Sequence, residues 1–491
     1  MNTTTNQMNP TANKMNSLSP TKIVATLGPR TNHPEALRAL HAAGLDMVRL
    51  NGAHGDHEWH RAAIALVREV LPDVPILLDI PGRKIRLGQL PAVRPVALGE
   101  RVVLTHETNP SSPGSVTVTC AEFHRDVPVG NAVLIDDTSV RMVVREVSGS
   151  DVICEVVTAG VLVGGKGVHF PGATMRAALL RPRDKKLLAF ACQQGVDFVG
   201  ISFVGTAEDV EIVRHLIAAE SPRIVAKIET QAAVENLAEI LQVADGIMVD
   251  RGDLSSETSF ERVGILQKQI LAEARRAACP AIVATEMLQT MIDLPTPTKA
   301  ELCDITNAVL DGAAALMLSG ETAVGQYPVE AVATMRRVAD AAHAHLQTSL
   351  QSPPPLAGVT VPEAVGEAIA DICRHLSVTK IVAVTLSGYA ARIIASHSPS
   401  QPIIAVSNDE RTARSLNLLQ GTRGICLDVP FSKTDVDHIP RCLELLWQRK
   451  EIVDDDLILV TAVGYPKSGN RMNLIQTHKV SDLRESLAWA A

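Results

Sequence analysis

Lys227, Glu229 and Asp253 are the residue types that could hold a divalent metal ion beside a fixed positive charge. They fall within RIVAKIETQAAVENLAEILQVADGIMVDRGDLSSE (223–257), which reads as strand, helix, strand. The run 223–228 is apolar and β-branched, Val234, Leu237 and Leu241 follow at three- and four-residue spacing, and 247–249 is apolar again. A crossover helix between parallel strands brings both strand ends to one side of the sheet, so the three residues meet although 26 positions separate the outer two. A lysine near two acids more often marks a salt-bridged rim, and the neighbouring segments decide between the two readings.

Eight short apolar runs, at 23–27, 47–50, 76–80, 198–204, 223–228, 246–249, 281–284 and 314–318, would carry such residues. All but one of the gaps between them fit a loop, a helix and a loop, which predicts a (β/α)8 TIM barrel, an α/β fold. The exception, 80 to 198, contains β-rich runs punctuated by Gly, Pro and Asp. It predicts a small β-barrel-like lid at 89–175, inserted over the face where a barrel binds substrates. The barrel then occupies 21–88 and 176–346, with 1–20 a tail and 347–359 (LQTSLQSPPPLAG) a linker, and 360–491 alternates helix and strand as a separate C-terminal α/β domain.

Strands two to eight each deliver something polar at the C-terminal end: Arg49 and Asn51, Asp79, Ser202, Lys227 with Glu229, Asp253, Thr285, and Ser319 with Glu321. That pattern is expected of a barrel enzyme rather than a random solvated rim. Arg49, Lys227 and Arg86 suit phosphate oxygens, while Glu229 and Asp253 suit oxygen-ligated magnesium or manganese. No histidine stands among the metal positions, which argues against a zinc hydrolase. The set supplies the positive charge that phosphoryl transfer needs, and the inserted domain could exclude water. GxxxxGK[ST] is absent. Lys166, in GGKGVHFPG (164–172), is either an ordinary surface lysine or a ligand for nucleotide phosphates.

Composition bounds the rest. A chain of 491 residues suggests two to four domains, 46% apolar and 3% aromatic content fits α/β packing, and a net charge of −8 argues against nucleic-acid binding. Eight cysteines without a CxxC pair read as free thiols in a reducing compartment. The N-terminal segment lacks an apolar h-region and an Arg-rich amphipathic pattern, and no run reaches membrane-span length, so a cytoplasmic protein with a disordered tail and no membrane partner is expected.

From Thr21 almost to its end the chain resembles the pyruvate kinase family. TKIVATLGP (21–29), MVRLNGAHGDHE (47–58), KGVHFPG (166–172), KIE (227–229), DGIMVDRGDL (245–254), ATEMLQTM (284–291), PTPTKAE (295–301) and NAVLDGAAALMLSGETAVGQYP (307–328) carry the likeness. The resemblance implies transfer of the phosphoryl group of phosphoenolpyruvate to ADP, giving pyruvate and ATP in glycolysis, in a homotetramer. It implies that Arg49 contacts the phosphate, and that Lys227 stabilises the moving phosphoryl group and the enolate. Glu229 and Asp253 would bind Mg2+ or Mn2+. The backbone at Gly252 and Asp253, with Thr285, would hold the carboxylate, Thr285 also assisting enolate protonation through water, and Ser202 would join this substrate set. His54, Arg86, Lys166 and Asn51 would serve ADP.

Several residues depart from the family pattern. Ala53 replaces a serine that helps bind potassium, and LDIPGRKIR places Ile80 at a threonine and Lys84 at a glutamate. A lysine ammonium can supply the charge of the monovalent ion, so in the region of Asn51, Asp79 and Lys84 the resemblance is to members that need no K+. Pro81 and Arg83 alter the loop entering the lid, Gly205 stands where arginine is common, Asp250 replaces a small residue and Glu286 a glutamine. Asp250 and Glu286 should weaken phosphate binding unless they point away or are paired. These changes leave open a decarboxylase- or aldolase-type enolate enzyme and a weakly active regulatory paralogue. In TLSGYAARIIASHSP (385–399), Thr385, Ser387 and Gly388 resemble the family's effector loop for a phosphorylated metabolite; a purely structural turn is the alternative.

Overall fold

The computed structural model describes residues 20–106, 114–136, 139–173, 175, 177–217, 222–348, 360–431, 436–463 and 472–489. The expected tail, apart from Pro20, and the linker from 349 onward lie outside these residues. The described chain divides into two compact units, one of residues 23–335 and one of residues 336 onward together with 20–22.

Strands Lys22–Thr26, Met47–Asn51, Ile76–Ile80, Phe198–Ile201, Arg223–Ile228, Gly246–Asp250, Ala281–Ala284 and Ala315–Leu318 close, in that order, into a barrel. Neighbouring strands pair in parallel, for example Val225 with Gly246 and Ile247 with Ala281. Their residues are nearly all buried, which is why they read as continuous apolar runs rather than alternating ones.

Three local expectations are corrected. The run 198–204 stops being a strand at Ile201, and Phe203 beyond it takes a left-handed φ of 58°. The helix after strand five is two short ones, Gln231–Glu235 and Leu237–Val243, meeting at Asn236, whose side chain donates to the Gly205 carbonyl at 2.9 Å. The run 246–249 extends as a strand to Asp250 and passes directly into a short helix, Arg251–Glu257.

Between barrel strands three and four lies the inserted β region. A six-stranded sheet runs in the order 168–169, 132–135, 140–148, 151–158, 101–105, 116–117, beside a two-stranded pair of 94–96 with 160–162. Val140, Met142 and Val144 face inward with Val102, Val133 and Phe170, while Arg141 and Arg145 are exposed and Val143 is half-buried, the period of a half-buried strand.

The C-terminal unit has a five-stranded sheet ordered 422–426, 403–407, 380–384, 457–462, 474–479, parallel except for the last strand. Strand Leu474–Lys479 is polar and mostly exposed, so it gave no apolar signal in the sequence. Helix His438–Gln448 carries Pro440 in its first turn, where proline is tolerated although it reads as a breaker. Gln347 and Thr348, expected in the linker, complete the helix Pro328–Thr348. No described helix is long and apolar enough to cross a membrane.

Candidate active site

Parallel closure of the barrel places every strand's C-terminal end on one rim, and the polar residues read from the sequence collect there. Arg49, buried at the end of strand two, donates to Asp79 Oδ2 through Nη2 at 2.6 Å and Nε at 3.1 Å, and to Thr26 Oγ1 through Nη1 at 3.2 Å. Lys227 is also buried. Its Nζ lies 2.9 Å from Asp250 Oδ2, 3.0 Å from Glu229 Oε2 and 3.9 Å from Asp79 Oδ2, and donates to Ser202 Oγ at 3.1 Å.

These charges set one another. Burial disfavours the ammonium of Lys227, but Asp250, Asp79, Glu229 and Asp253 outweigh it and hold the pKa well above the ordinary lysine value. Glu229 is fully buried and accepts the Phe203 N–H at 2.7 Å. Burial, only partly offset by Lys227, pushes its carboxyl up to about 8. Asp250 feels the same burial, yet Lys227 draws it down to about 2.

Asp253 receives both of its close contacts from the segment that leads into the insertion: Lys84 Nζ stands 2.6 and 2.8 Å from its two oxygens. On the return path His169 Nε2 lies 3.6 Å from Asp253, while Nδ1 lies 2.7 Å from Glu257. Glu229, Asp250 and Asp253 bring carboxylate oxygens within 4.8 Å of one another. Such hard, anionic oxygens fit magnesium or manganese, and Glu229 Oε2, buried without a hydrogen-bond partner, leaves an acceptor for that ion.

Thr285 takes a left-handed φ of 70° and Glu286 one of 53°. Arg251 fixes this turn by donating to the Thr285 carbonyl at 2.6 Å and the Glu286 carbonyl at 3.0 Å, while pairing with Asp304 at 2.6 Å. The Thr285 hydroxyl accepts the Gly252 N–H at 3.0 Å and so stands beside the backbone of 252–253.

A cavity of about 380 Å³ opens over this group. Arg49, Asp79, Ser202, Lys227, Gly252, Asp253 and Thr285 line it, and so do Asn51, His54, Lys84 and Arg86. Glu229 sits beneath its floor, fully buried. Lys166 is not among the lining residues; its Nζ pairs with Asp136 at 2.8 Å within the insertion, and Arg86 Nη1 donates to the Gly165 carbonyl at 2.9 Å. Glu321, expected at the rim, is instead buried and accepts the backbone N–H groups of Leu288 and Ser319, leaving Ser319 to face the cavity. Of the two added acids, Asp250 points inward and is paired, whereas Glu286 is exposed at the edge.

Sequence reading passed over Arg251 and His169 as site residues. Neither gives a local signal, since each acts across contacts distant in sequence, 34 positions in the bond from Arg251 to Thr285. Arg83 is clearer in the structure: its guanidinium bonds Asp209 at 2.8 Å and the Phe203 carbonyl at 3.1 Å and lies against Gly205. A cation supplied from position 83 therefore occupies the neighbourhood where the family pattern has an arginine at 205.

In the C-terminal unit, Thr385 Oγ1 accepts the Gly388 N–H at 3.0 Å, and Gly388, at φ 83°, opens the helix Tyr389–Ser396. Ser387 lies between them.

A parallel eight-stranded barrel with buried lysine, arginine and clustered carboxylates at its C-terminal rim defines a TIM-barrel enzyme of the metal-assisted, anion-handling class. The family "Pyruvate kinase, barrel domain" matches residues 18–332, and "Pyruvate kinase, alpha/beta domain" matches 363–478. The chain is 37% identical over 460 residues to pyruvate kinase 2 of a Synechocystis strain, covering 90% of this chain and 76% of the relative. It is 37% identical over 471 residues to pyruvate kinase of Mycobacterium tuberculosis, covering 94% and 98%. The solved structure of a Cryptosporidium parvum pyruvate kinase superposes with a TM-score of 0.83 at 30% identity, covering 94% of this chain and 96% of the other. The chain belongs to the pyruvate kinase family.

Proposed function

We propose that this cavity carries the family's phosphotransferase reaction, moving the phosphoryl group of phosphoenolpyruvate to ADP and releasing pyruvate and ATP. The observation that carries the reading is Lys227, buried and charged between Glu229 and Asp250, with Arg49 and Asp253 in the same chamber.

Arg49, oriented by Asp79, faces the phosphate as a rigid fork. Lys227 stabilises charge on the equatorial phosphoryl oxygens and then on the enolate oxygen, in a site where burial strengthens the interaction. Glu229 and Asp253 would hold the divalent ion, which when bound would lower the energy of negative charge developing on substrate oxygens. The N–H groups at Gly252 and Asp253 and the Thr285 hydroxyl receive the carboxylate, with Ser202 beside Lys227 completing the pocket. As the phosphorus–oxygen bond to the enolate breaks, a new one forms to the terminal phosphate oxygen of ADP. The enolate carbon then takes a proton through water beside Thr285. His54, Arg86 and Asn51 serve ADP, and Lys166 would join them from the insertion on leaving Asp136.

Lys84 supplies the charge for which other family members use potassium, so the enzyme works without K+. The ammonium is already held in the chamber by both oxygens of Asp253. Thr385, Ser387 and Gly388 form a turn suited to a phosphorylated effector, and the family's tetramer is the assembly expected. Asp250 is ion-paired, and Glu286 stands solvent-exposed at the cavity edge, where water screens its charge, so the active enzyme is favoured over a catalytically weak paralogue.

The test is pyruvate formation from phosphoenolpyruvate, ADP and Mg2+ in potassium and in sodium. Equal rates in both salts, lost in Lys227→Met, are expected; no turnover in either salt would overturn the reading.

A further inference from the structure

Asp250 stands where the family pattern has a small residue, yet it is neither turned away nor exposed. Its Oδ2 meets Lys227 Nζ at 2.9 Å, and its carboxylate closes a group with Glu229 and Asp253 whose oxygens lie within 4.8 Å of one another. Two of these three acids are those to which the reading above gives the divalent ion. Glu229 Oε2 is buried with no hydrogen-bond partner, Lys227 approaching it at 3.0 Å without the alignment of a hydrogen bond. Asp250 also accepts from the Thr285 hydroxyl at 3.3 Å, so it touches two of the groups that the reading above places on substrate, Lys227 and Thr285.

We propose that Asp250 is a third carboxylate ligand of the divalent ion, at a position where the family pattern has a small residue; the proposal rests on the metal-site reading above. Affinity at oxygen-ligated sites rises with the number of anionic ligands, so three carboxylates bind the ion more tightly than two. The second consequence concerns Lys227. Asp250 and Glu229 are its closest carboxylate partners. Once both are engaged as ligands, the ammonium is left to face the phosphoryl group. Asp250 thereby couples ion binding to the availability of Lys227.

The experiment is Mn2+ binding to the full-length, substrate-free protein, read from the electron paramagnetic resonance signal of free Mn2+, for wild type, Asp250→Asn, Asp250→Ala and Glu229→Gln. Circular dichroism and the thermal midpoint without metal identify the folded variants, and Asp250→Asn keeps the side-chain shape if the alanine variant fails to fold. At least a tenfold loss of Mn2+ affinity in the Asp250 variants, with loss of the Mn2+-induced rise in thermal midpoint, is the expected result. Unchanged affinity in the Asp250 variants beside a loss in Glu229→Gln overturns the third ligand and leaves the metal-site reading standing. Unchanged affinity in all the variants overturns both.

Discussion

The barrel rim and the 385–388 turn of the C-terminal unit are built by one rule and filled by opposite chemistry. Each is the outlet of parallel strands into helices, where backbone amides and side chains converge. At the barrel rim the side chains are charges in contact, buried where Arg49 meets Asp79 and Lys227 meets Asp250 and Glu229, half-buried where Lys84 meets Asp253. At the C-terminal turn they are hydroxyls and a glycine, and the Thr385 hydroxyl bonds the local Gly388 amide. A buried ion needs a partner, so each charge at the rim fixes its neighbours; a hydroxyl satisfied within its own turn fixes nothing beyond it. The first arrangement is preorganised for developing charge, and the second supplies shape.

The largest test of that contrast is Lys227→Met, which should lower turnover by about 10²–10³-fold or more, as removal of one electrostatic donor does in other active sites. A loss below tenfold would show that the rim's charges are structural. Next, Lys84→Glu should lower the rate in sodium by about 10–100-fold, the scale of changes next to a metal ligand, with potassium restoring part of it. No salt dependence in the variant would remove Lys84 from the monovalent role.

Arg83→Met sharpens the same point away from the cavity. Asp209, which also accepts the Gly205 N–H at 2.7 Å, would lose its cation, and a cost of about 2 kcal/mol is expected in urea unfolding. On the other side of the comparison, Gly388→Ala forces a Cβ onto a φ of 83° and should cost about 1 kcal/mol, seen as a lower thermal midpoint.

The smallest effect comes from a titratable group that the C-terminal unit buries without a partner. His343 has neither ring nitrogen hydrogen-bonded, and burial depresses its pKa, an effect Asp340 only partly offsets. The unfolded chain then takes the proton first, so this stabilising contribution is complete above about pH 6.5 and is lost as pH falls toward the depressed folded value. The thermal midpoint of His343→Leu should fall less between pH 7 and 5.5 than that of the wild type. Parallel curves would contradict the assignment.

Much of the fold was legible because burial on both faces makes each barrel strand a continuous apolar run, and eight such runs at helix-loop spacing admit few alternatives. The polar strand Leu474–Lys479 was not legible, because an exposed edge needs no apolar pattern. Within the site, Lys227, Glu229 and Asp253 could be brought together by topology alone. The orientation of Asp250 could not: a carboxylate next to the rim can face solvent or the cavity, and sequence carries no sign of which. Arg83 and Gly205 posed the same difficulty, since 122 positions separate a guanidinium from the glycine it covers.

The sequence by itself determined the barrel, the insertion, the C-terminal α/β unit and the identity of the charges at the rim, because strand periodicity and residue type are local properties. Only the tertiary structure decided which of those charges touch. Asp250 against Lys227, His169 against Asp253 and Glu321 against backbone amides are outcomes of ångström-scale packing between segments far apart in the chain, and that packing separates a ligand from a strut.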